Sequence, residues 1–350
     1  MRRLLVILLV VVLALGAGGA YYAARVLQGI QEPYKGFVGT EQFVEIPSGA
    51  STAEIRRRLI DAGVVSDEFA FRVALWWTGH SRDLKAGEYR FDRPMGAVDV
   101  IEKIARGDVY EHPITFPEGL TIREMATLYE SRGFGAAREF TDAAQNAALI
   151  KDLDPAADDL EGYLFPETYA LSRGTPATTL IKIMVERFRA TYADVQAKGS
   201  GGGGLGLSLR QVVTLASLVE KETAKAEERP IVAAVYRNRL TRQMPMQADP
   251  TVVYALVKAG TYDGNIRKRD LGVDSRYNTY KYPGLPPGPI AAPGRAALEA
   301  ALAPADVPYL YFVSRNDGSH VFADTLSKHN ANVYEYQVLY FRKLRQGGRD

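Results

Sequence analysis

Cysteine is absent from this 350-residue chain, which removes disulfides and thiolate chemistry at once. The absence fits an oxidising compartment, where a stray thiol is a liability. Histidine is scarce: His80, His112, His320 and His329 are scattered, with no HxxxH or HxH spacing. Nothing in that pattern argues for a metal site, and no cofactor is expected. Charge of one sign is lacking too. The 43 basic and 41 acidic residues leave a net charge of +2, and no basic stripe stands out. A nucleic-acid partner is therefore not expected. What remains is ordinary for a globular protein. At 47% hydrophobic residues the chain can bury a sizeable core and build two folded units behind a short leader.

The leader is the strongest compositional signal. After Arg2 and Arg3 the sequence is free of charge from Leu4 to Ala24. As a helix that run spans roughly 30 Å, about the thickness of a hydrocarbon core. Tyr21 and Tyr22 would lie at the far interface, ahead of Arg25. The two arginines favour a cytoplasmic N-terminus, which places everything after the helix outside the cytoplasm. A cleaved signal peptide is the rival, since Ala14–Ala20 is rich in Ala and Gly. The apolar run is long for a signal-peptide core, so a membrane anchor over residues 1–25 is the preferred reading. Residues 26–42, with Gly29, Pro33 and Gly36, read as a short linker. Fully extended, it reaches at most roughly 60 Å. Removing residues 1–30 is expected to leave a soluble, folded body.

A strand–turn–helix pattern then occurs twice. Val44-Glu45-Ile46 alternates, Pro47-Ser48-Gly49 turns and Ser51-Thr52-Ala53-Glu54 opens a helix. Ile114-Thr115-Phe116 alternates, Pro117-Glu118-Gly119 turns and Thr121-Ile122-Arg123-Glu124 opens another. Both openings read as capping boxes, and the equivalent register reads as a duplicated unit. Gly87–Phe91 reads as a strand and Val98–Arg106 as a helix. Residues 43–135 are thus expected to form a small α+β region, whose shape resembles LysM carbohydrate-binding modules in pattern more than in motif. Residues 136–195 read as mostly helical, interrupted by the aromatic stretch Glu161–Tyr169. Lys198–Gly206 is a glycine-rich loop, placed inside the second domain because helices flank it on both sides. Leu209–Thr223 is a buried helix. Another helix follows from about Glu228 to Arg242, with Pro230 in its first turn, and an Asp249-Pro250 turn starts the next. Residues 275–294 are a loop of Tyr, Asn, Pro and Gly. Tyr309–Val313 and His320–Ala323 form a hairpin through Asn316-Asp317-Gly318-Ser319, and a helix from about Lys328 to Arg345 closes the chain.

The Glu220-Lys221-Glu222-Thr223 cluster ends an otherwise apolar helix. Glu222 continues the face of Leu215, Leu218 and Val219. Glu220 follows Ala216 and Val213, so periodicity separates the two poorly. A carboxyl facing low dielectric has its pKa raised, the state a general acid needs at neutral pH. Equally, either glutamate can simply end the helix in solvent, paired with a lysine. Asp249 reads as a helix cap or as a substrate contact, and Gln247 as a donor to a sugar N-acetyl group. Tyr277, Asn278 and Tyr280 supply the aromatic faces and amide that sugars use, although such aromatics serve packing as often. Tyr163 and Glu167 are candidates for the same groove.

The stretches LASLVEKETA, VAAVYRNRL, QADPTVVYAL, YNTYKYPGLPPGPIAAPG, YLYFVSRNDGSHVF and SKHN together resemble the YceG-like family of endolytic murein transglycosylases, almost continuously over the C-terminal half. The resemblance implies the layout of an anchor (1–25), a linker (26–42), a LysM-like region (43–135) and a catalytic domain (136–350). The fold class is then α+β, with an N-terminal transmembrane helix and a mostly helical catalytic domain carrying a β-hairpin. It also implies a lytic transglycosylase in the cytoplasmic membrane, single-pass, with its catalytic domain extracytoplasmic. The partners are peptidoglycan glycan strands, with cell-wall synthases as candidates. Its catalytic acid is the second glutamate of the E-K-E-T run, Glu222. That group would protonate the bond between N-acetylmuramic acid and N-acetylglucosamine, then take the C6 hydroxyl proton as a 1,6-anhydro ring closes. A rival reading is a non-catalytic peptidoglycan-binding scaffold. A serine hydrolase using Ser217 and Lys221 has the wrong spacing for S-x-x-K.

Overall fold

The computed structural model describes residues 2–198 and 206–347. The interior of the glycine-rich loop expected at 198–206 lies outside the described residues. The chain is a mixture of helix and strand with small sheets, and it divides into two compact units. One comprises residues 1–113 with 170–174, the other residues 114–169 and 175–350. The division falls earlier than the expected boundary after residue 135.

The first unit opens with α1 (Arg2–Gln31). Its residues from Ile7 are apolar and long enough to cross a membrane. The helix does not stop at residue 25. It continues into the expected linker because Leu27 and Ile30 have a core to enter, and Ile30 is only 2% exposed. Beyond it, Tyr34 exchanges backbone hydrogen bonds with Met95, and Gly36 N donates to Gly63 O at 2.8 Å. The segment read as a short linker is thus docked through much of its length. A cut at residue 30 therefore removes residues that pack on the core of the first unit. Removing residues 1–31 deletes Leu27 and Ile30 and should cost the first unit roughly 2–5 kcal/mol, as large-to-small core substitutions do. Removing residues 1–24 should leave that unit at full stability. Urea unfolding of the two truncations checks this, and equal midpoints would refute it.

After α1 come β1 (Gln42–Ile46), α2 (Thr52–Asp61), α3 (Glu68–Thr78), β2 (Gly87–Phe91) and α4 (Ala97–Arg106). β1 and β2 pair antiparallel, with Val44 opposite Tyr89. Alternation along β1 turns Val44 and Ile46 inward and leaves Glu45 outside. Ile55 and Leu59 of α2, Phe71 of α3 and Val100, Ile101 and Ile104 of α4 complete the core. Ser51 caps α2 by accepting from Glu54 N. The expected full box does not form there, because the Glu54 carboxylate is taken by Arg58 one turn on, at 2.8 Å. At the second opening the box is complete, with Thr121 and Glu124 each bonding the other's backbone N–H.

The second copy of the pattern belongs elsewhere. β3 (His112–Thr115) pairs with β4 (Thr168–Leu171) rather than with β1 and β2. Phe116 N donates to Glu167 O, and Phe116 stacks on Phe140. Helices α5 (Ile122–Ser131), α6 (Ala137–Ala144) and α7 (Ala177–Lys198) follow, then α8 (Leu209–Glu222). α8 is the central helix of the second unit. Ser208 and Gln211 cap its start, and every residue from Val212 to Val219 is buried. Around it pack α9 (Arg229–Thr241), α10 (Asp249–Lys258) and α11 (Arg295–Leu302). The hairpin β5 (Tyr311–Ser314) and β6 (His320–Ala323) turns through Asn316 and Gly318, both with positive φ. The closing helix is not continuous as expected. α12 (Leu326–Val333) and α13 (Tyr340–Gly347) flank a π-helical stretch, Tyr334–Leu339. There the Asn316 amide donates to Tyr336 O and Gln337 donates to Ser314 O, bonds that tie the widened turn to the hairpin.

Candidate functional site

The end of α8 places the two glutamates in different surroundings. Glu220 accepts from Gly294 N at 3.0 Å and pairs with Arg229 at 2.9 Å, both side chains nearly covered. Its two oxygens are spent on holding α9 and the start of α11. Among the described residues, Glu222 has no cation at that range. Its Oε1 accepts from the Tyr236 hydroxyl at 2.6 Å. The Glu222 side chain keeps an opening to solvent but is otherwise packed in protein. Burial pushes its carboxyl up to about 7, and the Asp249 charge adds to the rise. The Tyr236 hydrogen bond and the positive Arg239 oppose it and do not cancel it. The group therefore exists in both protonation states near neutrality.

Tyr236 and Arg239 lie one turn apart on α9. Tyr236 is buried, and its hydroxyl is held well above its ordinary pKa by burial and by Glu222, so it remains a donor. Arg239 is buried too and spends its guanidinium on Leu310 O and Met246 O, each at 2.6 Å. α8 ends because Thr223 turns extended. The Thr223 hydroxyl donates to Glu228 Oε2 at 2.9 Å, and Glu228 also accepts from His320 N at 2.8 Å and from the His320 ring at 2.7 Å. Burial would raise the Glu228 carboxyl, but the hydrogen bonds from His320 and Thr223 outweigh it and hold the pKa low. That carboxylate is a brace between α9 and β6. The sequence reading missed Tyr236, Arg239 and Glu228, because nothing local to α9 says which helix end it will face.

Asp249 is not the cap of α10. Ala248 occupies that position, and Asp249 stands in the first turn, where its Oδ1 accepts from the Tyr280 hydroxyl at 2.6 Å. The loop 275–294 is clamped to this helix start. Thr279 Oγ1 accepts from Ala248 N and bonds the Thr251 hydroxyl. Gln247 N donates to Thr279 O, its side chain is exposed and its φ is 51°. A non-glycine residue in the left-handed region is a strained arrangement of a kind found at functional sites. Asn278 is fully buried and organises the loop from within, its amide donating to Leu271 O and Val273 O. Tyr277 packs its ring on Tyr254 at 4.8 Å. The structure thus brings Asp249 and Tyr280 within electrostatic reach of Glu222, whereas Asn278 faces inward.

Tyr163 and Glu167 do not join this set. Tyr163 is buried against Phe188, with its hydroxyl on Asp154 at 2.6 Å. Glu167 pairs with Arg187 at 2.6 Å. Ser217 is buried inside α8, donating to Thr214 O and accepting from Ile290 N, which leaves no nucleophile there.

A groove of about 490 Å³ lies in the second unit, lined by Thr121, Glu124, Lys221, Asp249, Tyr254 and Val257 among others. Glu222 is not among the lining residues. Asp249 is the link, lining the groove and acting electrostatically on Glu222. Tyr254 donates across the groove wall to Glu161 Oε2 at 3.3 Å, and Ile122 N donates to Glu161 Oε1 at 3.1 Å. Burial pushes the Glu161 carboxyl up to about 8 against that backbone bond. Its folded pKa exceeds the ordinary value, so the native state holds a proton that the unfolded chain gives up. Stability from this group is complete below about 4.5 and lost as pH rises through about 8. Glu161→Gln should therefore gain on the wild type by on the order of a few kcal/mol between pH 5 and pH 9. Urea unfolding at both pH values measures it, and parallel losses in the two proteins would refute it.

Fold and site together describe a mixed helix-and-strand protein with a protonatable carboxyl ending a buried helix. The chain belongs to the YceG-like family, whose sequence model matches residues 44–335. It is 34% identical over 338 residues to the endolytic murein transglycosylase of Bacillus subtilis (strain 168), covering 91% of this chain and 90% of that one. It is 31% identical over 368 residues to the endolytic murein transglycosylase of Streptococcus pneumoniae serotype 2 (strain D39), covering 95% of this chain and 65% of the relative. The crystal structure of a YceG-like protein from Listeria monocytogenes superposes with a TM-score of 0.54 at 32% identity, covering 83% of this chain and 98% of that one.

Proposed function

We propose that this chain is a membrane-anchored lytic transglycosylase that cuts peptidoglycan glycan strands internally, with Glu222 as its one acid and base. The observation that carries the reading is the Glu222 carboxyl, raised to about 7 by burial and hydrogen-bonded by Tyr236. The names of the relatives support the substrate class. Tyr236 donates to Oε1, which leaves Oε2 to carry the catalytic proton. That proton goes to the glycosidic oxygen between N-acetylmuramic acid and N-acetylglucosamine, and the C1–O bond breaks. The muramic oxocarbenium is stabilised by its own N-acetyl group. The Glu222 carboxylate then takes the C6 hydroxyl proton while O6 bonds to C1, closing a 1,6-anhydro ring. No water is consumed and Glu222 ends protonated, ready for another cut. One carboxyl suffices where hydrolysing glycosidases use two.

In this reading Asp249 and Tyr280 flank the reacting sugars, Gln247 donates to an N-acetyl group and Tyr277 offers an aromatic face. Asn278 supports the loop from behind. The strand–helix–helix–strand order of β1, α2, α3 and β2 supports a LysM-like glycan-binding role for the first unit. The apolar, charge-free leader supports a single pass through the cytoplasmic membrane with the N-terminus inside. Since α1 runs rigidly into the first unit, the protein stays near the membrane, where new strands emerge and cell-wall synthases work. Mass spectrometry of sacculi digested with the protein lacking residues 1–24 tests the chemistry. Products should end in 1,6-anhydro sugars. Reducing ends would mean hydrolysis, and binding without products would leave the scaffold reading. On uniformly long strands, mid-length fragments should appear early; disaccharides alone, released from slowly shrinking strands, would overturn internal cutting.

A further inference from the structure

Helix α3 is apolar on both faces. Phe71 and Ala74 enter the core of the first unit. Phe69 and Trp76 lie on the opposite side and Trp77 on the flank, and they are 58%, 78% and 49% exposed. At 100° per residue, Phe69, Arg72 and Trp76 fall on one stripe, with Trp77 on the flank between that stripe and the core face. An apolar helix face left in water normally marks an interaction surface.

Its position says what the surface meets. α3 packs directly on α1, whose Leu27 and Ile30 enter the same core as Phe71. At 1.5 Å per residue, Leu27 lies only about 8 Å along α1 from Tyr22, and Ile30 about 12 Å. Tyr21 and Tyr22 end the charge-free run and are themselves exposed. The headgroup layer is itself roughly 5–8 Å deep, and a packed helix is about 10 Å across. No flexible segment intervenes, so α3 is fixed within about a helix diameter of the interface. Tryptophan, with an apolar ring and one N–H donor, is the side chain most at home at that level. Arg72, on the same stripe and largely exposed, can meet lipid phosphates.

We propose that Phe69, Arg72, Trp76 and Trp77 form a membrane-interface foot, seating the first unit on the bilayer beside α1. The inference rests on the reading of α1 as a membrane span. Two contacts, the span and the foot, would fix the tilt of the unit as one span cannot.

Trp76 and Trp77 are the only tryptophans in the sequence, so intrinsic emission reports this face alone. The full chain is reconstituted in vesicles containing anionic phospholipid, with retention after alkaline carbonate wash confirming the span. Lipids brominated near the headgroup end of the acyl chain should quench emission about twofold, and lipids brominated near the chain end much less. Trp76→Phe and Trp77→Phe, at exposed positions, divide the signal between the two rings. Retention of the chain with no quenching by either lipid would overturn the foot and leave the anchor standing. Loss of the chain in the wash would overturn both. Emission that shifts on adding soluble glycan strands to the chain lacking residues 1–24, with no lipid quenching, would assign the face to glycan instead.

Discussion

Glu222→Gln is expected to lower cleavage of sacculi by roughly 10³-fold or more, at the upper end of what a general acid–base contributes, because one group performs both proton transfers. The amide keeps the shape of the carboxyl and can accept from Tyr236, so unfolding temperature and retention on insoluble peptidoglycan should stay near wild type. The pH profile supplies an independent check. Only the neutral carboxyl can act as the acid, and burial sets its titration at about 7. Cleavage should therefore fall as pH rises through about 7. Tyr236→Phe removes a hydrogen bond that lowers this pKa. Its falling limb should move to higher pH, whereas a purely structural Tyr236 would reduce activity without moving the limb. An active Glu222→Gln protein would remove the assignment altogether.

Arg229→Met should be the most damaging of the single substitutions around the site for stability. Glu220 is nearly covered and its ion pair with Arg229 is close. Removing the cation leaves a buried carboxylate with Gly294 N alone, a loss of about 3–5 kcal/mol. The double variant Glu220→Met/Arg229→Met should regain most of it, since a buried ion pair is roughly interchangeable with apolar packing. Urea unfolding of the three proteins measures the cycle. A double variant as unstable as Arg229→Met would show that the pair acts through other partners, such as Glu118, which also reaches Arg229 at 3.4 Å. Glu220→Gln, by contrast, should still cleave sacculi wherever it is folded, which separates the brace from the acid.

Periodicity placed both glutamates at the end of a buried helix and could go no further. Residues 216 and 218 are equally apolar, so each glutamate continues a buried stripe. The difference is made by what stands opposite. Arg229 pairs with Glu220 and Gly294 N donates to it, and a phenol meets Glu222. The same limit explains Tyr163. An aromatic in a Gly- and Pro-broken stretch reads equally as platform or packing, and its burial against Phe188 is a long-range fact. Glu161 could have been suspected from its apolar neighbours, but its partners Ile122 and Tyr254 are distant in sequence.

Local chemistry determined the elements of this protein: a charge-free run long enough to span a bilayer, the Thr121–Glu124 box, α8 from its unbroken apolar run and the hairpin from its Asn-Asp-Gly turn. These depend on residues within a few positions of one another, where backbone sterics and side-chain spacing act directly. Tertiary structure alone decided where α1 ends, since Leu27 and Ile30 stay helical only because a core receives them. It also decided that β3 pairs with β4 across more than fifty residues, and which of two neighbouring carboxyls is paired with an arginine. Each of those outcomes is set by desolvation and by a partner brought from far along the chain, quantities that no local pattern contains.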